Sequence, residues 1–458
     1  MKSSSHEKNL LPQGFGFWTG WFTTLASMVG AGILTNSGPI LLGVQSYPAL
    51  LILWAVGGLV ALAGALSLGE IASGLPRAGG EYIYIYEAFG PATAFTYGWA
   101  MVLVGFAAPT SLVAYTTANY LAPTLEHFSG PTSNLFTKLF ATLLIIVFTA
   151  WHCVGQKNSS FLQTLTTIFN LLVVGGLATA ILFLSHGSLS HLAERSSELP
   201  FNGGAWATGL MLVMYAYTGW NSAAYLAGET KDAARVVPRC LFWGCVTVVV
   251  LYLLVNVAYG FALSLNQVKI LSPLELNRLA HVALEKAFGL KVARIISFLL
   301  SIGIVASLSA YLLLGPRLIF AMAQDNLFPA IGKKLNARNG LPVNAIILQG
   351  LLALVFLWTG TFEQIMTFTS FGLAAMSVLL VAPIFILRRR ASFLPVVRVP
   401  FYPWTPAIFL VVIALMLVLG AKDNPSLAVI SLGSILLGFP VYWFGVRPMV
   451  INLKITNT

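Results

Sequence analysis

Apolar runs of roughly twenty residues recur from Phe17 to Val446, each long enough to cross a hydrocarbon layer of about 30 Å. Inside such a layer the backbone has no water to bond, so only helices or closed barrels can cross it. A barrel would show alternating segments of about ten residues, a pattern not read here. The chain therefore reads as an all-α polytopic membrane protein. Its composition agrees: 58% of residues are apolar and 9% charged, where a soluble domain carries about 25% charge. The expected spans are helix 1 over 17–41, helix 2 over 47–69, helix 3 over 91–121, helix 4 over 136–154, helix 5 over 161–185 and helix 6 over 204–227. Helix 7 covers 239–263, helix 8 293–322, helix 9 343–360, helix 10 364–388, helix 11 404–421 and helix 12 426–446. Residues 70–90 read as a polar connection and 264–291 as a long, partly helical one. Twelve transmembrane helices put both termini on one side.

Charge selects the side. With the N-terminus inside, inner loops and helix ends outnumber outer ones in Lys and Arg by roughly two to one, whereas the acids divide evenly, the asymmetry of the positive-inside rule. The net charge of +11 is thus assigned to basic cytoplasmic loops and not to nucleic-acid binding. The expected layout is a multi-pass protein of the cell (inner) membrane, with a cytoplasmic N-terminus (1–16) and tail (447–458). Residues 1–14 are polar, and no leader is expected. Cys153, Cys240 and Cys245 fall in helices or at their inner ends, so no structural disulfide is expected.

Two helices are interrupted. "SMVGAGILTNSGP" (27–39) places poor helix formers inside helix 1, and "YAYTGWNSA" (215–223) does the same in helix 6. Each opens a set of five helices, 17–185 and 204–388, followed by two additional helices over 404–446. Five is odd, so the second set runs inverted. Matched breaks in inverted halves point to a transporter's binding site, because unwound backbone is tolerated at membrane depth only where it is buried in protein or lines a cavity. Freed N–H groups favour an anion and freed carbonyls a cation. A free amino acid, with both charges, suits the pair. Its carboxylate is expected on the N–H groups of Ala31, Gly32 and Ile33. Its ammonium is expected near the carbonyls of Met28, Tyr215 and Thr218. The plainer reading, that Gly30 and Gly32 allow close helix packing, loses weight because helix 6 is broken too.

Four ordered stretches carry a family likeness: "GAGI" (30–33), "GEIASGLPRAGGEYIYIYEAFGPATAFTYGW" (69–99), "YAYTGWNSAAYLAGE" (215–229) and "GPRLIFAMAQDNLFP" (315–329). Over residues 15–446 the chain resembles the amino acid–polyamine–organocation superfamily, most closely the L-type amino acid transporter branch and its bacterial relatives. The resemblance implies a LeuT-type 5+5 inverted repeat plus two helices, with broken helices 1 and 6, and secondary amino acid transport by alternating access. It implies that Tyr215 is an aromatic gate over the substrate and Asn221 a polar pocket residue, with Thr218 and Gly219 in the same break. The plain alternatives are a packing aromatic and a helix–helix hydrogen bond. Three positions depart from the branch: Ala31 replaces a common Ser, Asn170 a common helix 5 Lys, and Ser309 an Asn of bacterial relatives.

No Asp, Glu or Lys falls near the middle of an expected span, so no proton carrier is evident. Glu70 and Arg317 read as inner helix ends, Arg294 as an outer end and His152 as interfacial. Sodium-independent exchange or facilitated transport is expected. The alternative is sodium symport, with Na+ held by Ser307, Ser309 and helix 1 carbonyls in the space freed at Asn170. No cofactor is expected otherwise. Residues 91–121 hold no acid to pair with a cationic side chain, which favours neutral amino acids over cationic ones or polyamines. The wall "GFAAPTSLVAY" (105–115) is small and apolar, which suits aliphatic side chains. The helix 3–helix 4 loop lacks the cysteine through which animal members of the branch join a single-span partner, so no disulfide-linked accessory subunit is expected. A channel would need a ring of polar residues, and an enzyme a catalytic constellation such as HExxH; neither is read. A non-transporting sensor on the same fold is disfavoured by the short tail.

Overall fold

The computed structural model describes residues 15–76, 80–121, 133–154, 159–196, 202–336 and 340–448. Helices occupy every expected segment. Helix 1 is broken into Phe17–Met28 and Ala31–Thr35, then bends by 48° into Ser37–Val44. Helix 2 is Tyr47–Gly74, helix 3 runs from Pro91 to Leu121, helix 4 is Ser133–Val154 and helix 5 Ser159–Leu184. Helix 6 is Gly203–Ala216 with a short continuation, Ser222–Tyr225. Helix 7 is Ala233–Ala262, helix 8 Leu290–Gln324, helix 9 Val343–Thr359 and helix 10 Phe362–Val381 with Pro383–Leu387. Helix 11 is Trp404–Asp423, and helix 12 begins with Pro425–Leu436. Among the described residues, nine helices are long and apolar enough to cross a membrane, ten with the bent first helix; Gly203–Ala216 and Val343–Thr359 are shorter apolar helices. No extended strand occurs among these residues, only isolated bridges at Phe15 and Ser46.

The helices pack in related pairs. Helix 1 lies on helix 7 as helix 6 lies on helix 2. Helix 1 meets helix 5 as helix 6 meets helix 10. Helix 3 meets helix 10 as helix 8 meets helix 5, and helix 3 meets helix 9 as helix 8 meets helix 4. Helices 2 and 7, 3 and 8, and 4 and 9 pack on each other. Helices 11 and 12 cover helices 6 and 10 from outside this set.

The described parts of the polar segment 70–90 are largely helical. Helix 2 continues to Gly74 because its polar end is satisfied by the chain after helix 10. Arg388 donates from Nε and Nη2 to the two oxygens of buried Glu70, at 2.6 and 2.5 Å, and the Val399 N–H adds a third bond at 2.7 Å. Ser73 Oγ accepts from Val396 and Val397 N–H, both at 2.9 Å. Arg388 also lies 3.7 Å over the Tyr402 ring. The segment then forms a connecting helix, Gly80–Phe89, that packs on helix 3 and inside the bundle. The connection 264–291 contains three short helices, two opened by capping boxes at Ser264 and Ser272. Those boxes satisfy N–H groups that a helix start leaves without partners.

Candidate functional site

The two breaks face each other. Helix 1 stops at Met28, and Gly30 stands at the cap of the next segment with no side chain to receive the first N–H groups, which have no acceptor within their own helix. In helix 6, Gly219 takes φ +98° between Ala216 and Ser222, a region that side chains rarely tolerate. A Cβ on Gly219 would lie 2.6 Å from the Ser27 carbonyl carbon, and one on Gly32 would lie 2.5 Å from Ala216 Cα. Both glycines are therefore needed for backbone-to-backbone contact. For Gly32 the close-packing role is directly visible.

Most freed carbonyls are already engaged. The Tyr252 hydroxyl on helix 7 lies 2.6 Å from the Met28 carbonyl and 3.0 Å from that of Ala216, sharing its proton between both breaks. Asn170 Nδ2 donates to the Val29 carbonyl at 2.7 Å. The Tyr215 carbonyl accepts from Thr218 N–H at 3.0 Å and Thr218 Oγ1 at 2.6 Å. Beside them, Asn170 Oδ1 and Ser307 Oγ are buried with no hydrogen-bond partner among the described residues, and a Cβ on Gly30 would meet Ser307 Oγ at 2.8 Å.

A cavity of about 90 Å³ opens against the helix 6 break. Of the expected site residues, Thr218, Gly219, Asn221 and Ser307 line it. Met28, Gly30, Ala31, Gly32, Ile33, Tyr215 and Asn170 are buried but outside its lining. Ser309 is turned away: its Oγ pairs with His152 Nε2 on helix 4 at 3.0 Å. His152 itself, in the last turn of helix 4, is buried. Of the small apolar wall 105–115, only Gly105 and Phe106 reach the cavity. A π-helical turn over Met101–Ala107 puts Met101, Gly105 and Phe106 on that surface, and such turns inside α-helices recur at functional sites.

The lining adds what the expected spans did not contain: a buried acid from the connection between helices 2 and 3 faces this space. Glu81, on the connecting helix, is fully buried and lines the cavity. Its Oε2 accepts from Tyr97 on helix 3 and, at 3.0 Å, from Tyr225 on helix 6. Burial pushes its carboxyl up to about 7, against the two tyrosine hydrogen bonds, which pull it down. The sequence hid Glu81 inside a stretch that reads as a polar loop. Ser27, Trp220 and Tyr311 also line the cavity without having been singled out. For Trp220 a signal was present: it lies inside the helix 6 break, 215–223.

Comparisons with known proteins agree with this architecture. The sequence profile of the family described as "Amino acid permease" matches residues 15–443. The serine/threonine exchanger SteT of Bacillus subtilis (strain 168) is 27% identical over 446 residues, covering 95% of this chain and 98% of that protein. The large neutral amino acids transporter small subunit 2 of Homo sapiens is 26% identical, over 92% of this chain and 78% of its own. The b(0,+)-type amino acid transporter 1 of Mus musculus is 23% identical, over 81% and 76% respectively.

Proposed function

The chain belongs to the amino acid permease family of the amino acid–polyamine–organocation superfamily, near its L-type transporter branch, and from that premise we propose that it exchanges small neutral amino acids without sodium. Amino acid transport is the family's activity, and the chain is a transporter and not an enzyme. The observation that carries the finer reading is the cavity at the helix 6 break. One water needs about 10–15 Å³ by the same measure, so its volume of about 90 Å³ holds the bulk of an alanine or a serine. Thr218, Asn221 and Ser307 supply polar contacts, and Phe106, Leu314 and Leu380 an apolar wall. Before substrate reaches the N–H groups of Ala31, Gly32 and Ile33, the two breaks must part, because Gly32 now lies against Ala216. Tyr215 sits at the hinge of that movement, as a gate would.

Asn170 supports sodium independence. Its amide N–H gives the Val29 carbonyl the donor that an ammonium would give, and Tyr252 occupies the Met28 carbonyl. Two carbonyls that would ligate a cation are thereby engaged. The related packing of helices 1–5 and 6–10 supports the two-repeat reading, with twelve crossings and both termini cytoplasmic in the cell membrane. Cys240 and Cys245 are buried and Cys153 is half-buried in helix 4, which supports transport without a disulfide-linked subunit; the helix 3–helix 4 loop, 122–132, lies outside the described residues.

A second reading has one observation behind it. An ionised Glu81 would suit a cationic side chain. Competition against labelled serine uptake into proteoliposomes, with and without sodium, separates the two. Alanine, serine and threonine are expected to compete, arginine and a polyamine to fail, and sodium to change nothing. Strong competition by arginine would favour the second reading, and uptake that requires sodium would overturn the first.

A further inference from the structure

Glu81 is an acid without a base among the described residues. Its side chain is fully buried, and Oε1 has no hydrogen-bond partner among the described residues. Both hydroxyls that reach it, from Tyr97 and Tyr225, converge on Oε2. The elements packed on its helix are helices 2, 3, 10, Pro383–Leu387 and the helix 6 continuation. Helix 3 presents Tyr97 to it and helix 6 presents Tyr225, while Tyr84 lies close on its own helix. Pro383–Leu387 carries no ionisable residue, and the acid of helix 10, Glu363, stands in the first turn at its far end. Helix 2 brings Glu70, which is paired with Arg388. No Lys, Arg or His among the described side chains neutralises Glu81.

A buried carboxylate with no cation costs several kcal/mol and takes up a proton instead. Raised to about 7, the group sits where a modest change of surroundings switches its charge. Those surroundings are the parts expected to move. Tyr97 belongs to the first part of helix 3 and Tyr225 to the short piece beyond the helix 6 break. Glu81 joins the two across one end of the cavity. The Gly80 backbone also touches the Tyr225 ring, where a Cβ would stand 2.7 Å away.

Resting on the transport reading above, we propose that Glu81 is a proton-binding site coupled to the transport cycle. In the closed arrangement the proton sits on Oε1, and Oε2 holds Tyr97 and Tyr225 together. When helix 6 moves, Tyr225 leaves Oε2 and water enters, and the newly solvated carboxyl loses its proton to that water. Reclosure takes a proton back. Exchange of neutral amino acids then depends on pH although no span carries an acid at its middle.

The test uses the full chain in proteoliposomes. Serine exchange is measured from about one unit below to one unit above neutral pH for the wild type, Glu81→Gln and Glu81→Asp. Wild-type exchange is expected to change at least about threefold across that range, Glu81→Gln to be flat, and Glu81→Asp to keep a profile with a moved midpoint. pH-difference infrared spectra read the same site without transport: a protonated-carboxyl stretch titrating near neutral pH, lost in Glu81→Gln. Glu81→Gln exchanging with the wild-type pH profile would overturn the proposal, as would spectra in which it removes no titrating carboxyl. If the chain exchanges no amino acid, the transport reading fails while the spectra still report on the proton site.

Discussion

Removing the Tyr252 hydroxyl should loosen both helix breaks at once. The hydroxyl is fully buried and lies 2.6 Å from the Met28 carbonyl and 3.0 Å from the Ala216 carbonyl. Tyr252→Phe keeps the ring, which packs on Trp54 and Tyr217, so no cavity of any size is made. The lost proton leaves two buried acceptors short of one donor, at a cost of roughly 1–3 kcal/mol. That cost falls on the arrangement in which the breaks touch. An opened arrangement, in which water reaches the carbonyls, escapes most of it. A shift of about 1.4 kcal/mol between two such states changes their ratio tenfold. Serine exchange in proteoliposomes should therefore fall by about tenfold, alongside a lower thermal midpoint in detergent. Tyr47→Phe is the control. Its hydroxyl donates to the Leu263 carbonyl at 2.8 Å, far from the breaks, and its loss should lower stability by a similar amount with exchange nearly unchanged. Equal loss of exchange in both variants, or none in Tyr252→Phe, would refute the argument that this hydroxyl ties the breaks together.

Gly219→Ala places a side chain at φ +98° against the Ser27 backbone; a cost above about 2 kcal/mol is expected, read as a lowered thermal midpoint and lost exchange. Glu70→Gln removes the charge from the fork with Arg388, and should cost roughly 1.5–3 kcal/mol; Arg388→Lys should be nearly as damaging, since an ammonium cannot reproduce the two parallel bonds. His281, outside the spans, bonds Ser297 at 2.8 Å, and burial followed by the charge of Arg278 depresses it from 6.5 to about 4. Between those values the unfolded chain binds more protons than the folded one. Stability from this group is therefore complete above about pH 6.5 and falls as pH drops toward 4. His281→Asn should flatten that acid-side decline in thermal midpoints.

The helix frame was legible because apolar length and glycine breaks are local signals. Helix 1 stops at Met28 and helix 6 at Ala216, where Gly30 and Gly219 mark the sequence. What lay beyond reach was the partner of each polar group. Glu70 reads only as a helix end and Ser73 as part of a polar connection, because the N–H groups that satisfy them come from residues 396–399. Glu81 falls in a stretch that reads only as a polar connection, because the tyrosines around it lie 16 and 144 positions away. Ser309 stands two residues from Ser307, and helix rotation alone turns it toward His152. Asn170 was recognised as a substitution, yet only the fold shows its amide reaching the helix 1 break.

The central claim is tested most directly by labelled serine uptake into proteoliposomes without sodium, comparing vesicles preloaded with unlabelled serine against empty ones. Sodium-independent exchange predicts rapid uptake into preloaded vesicles and little into empty ones. Concentrative uptake into empty vesicles that appears only on adding sodium would contradict it, and would assign Asn170 Oδ1 and Ser307 Oγ to a cation instead.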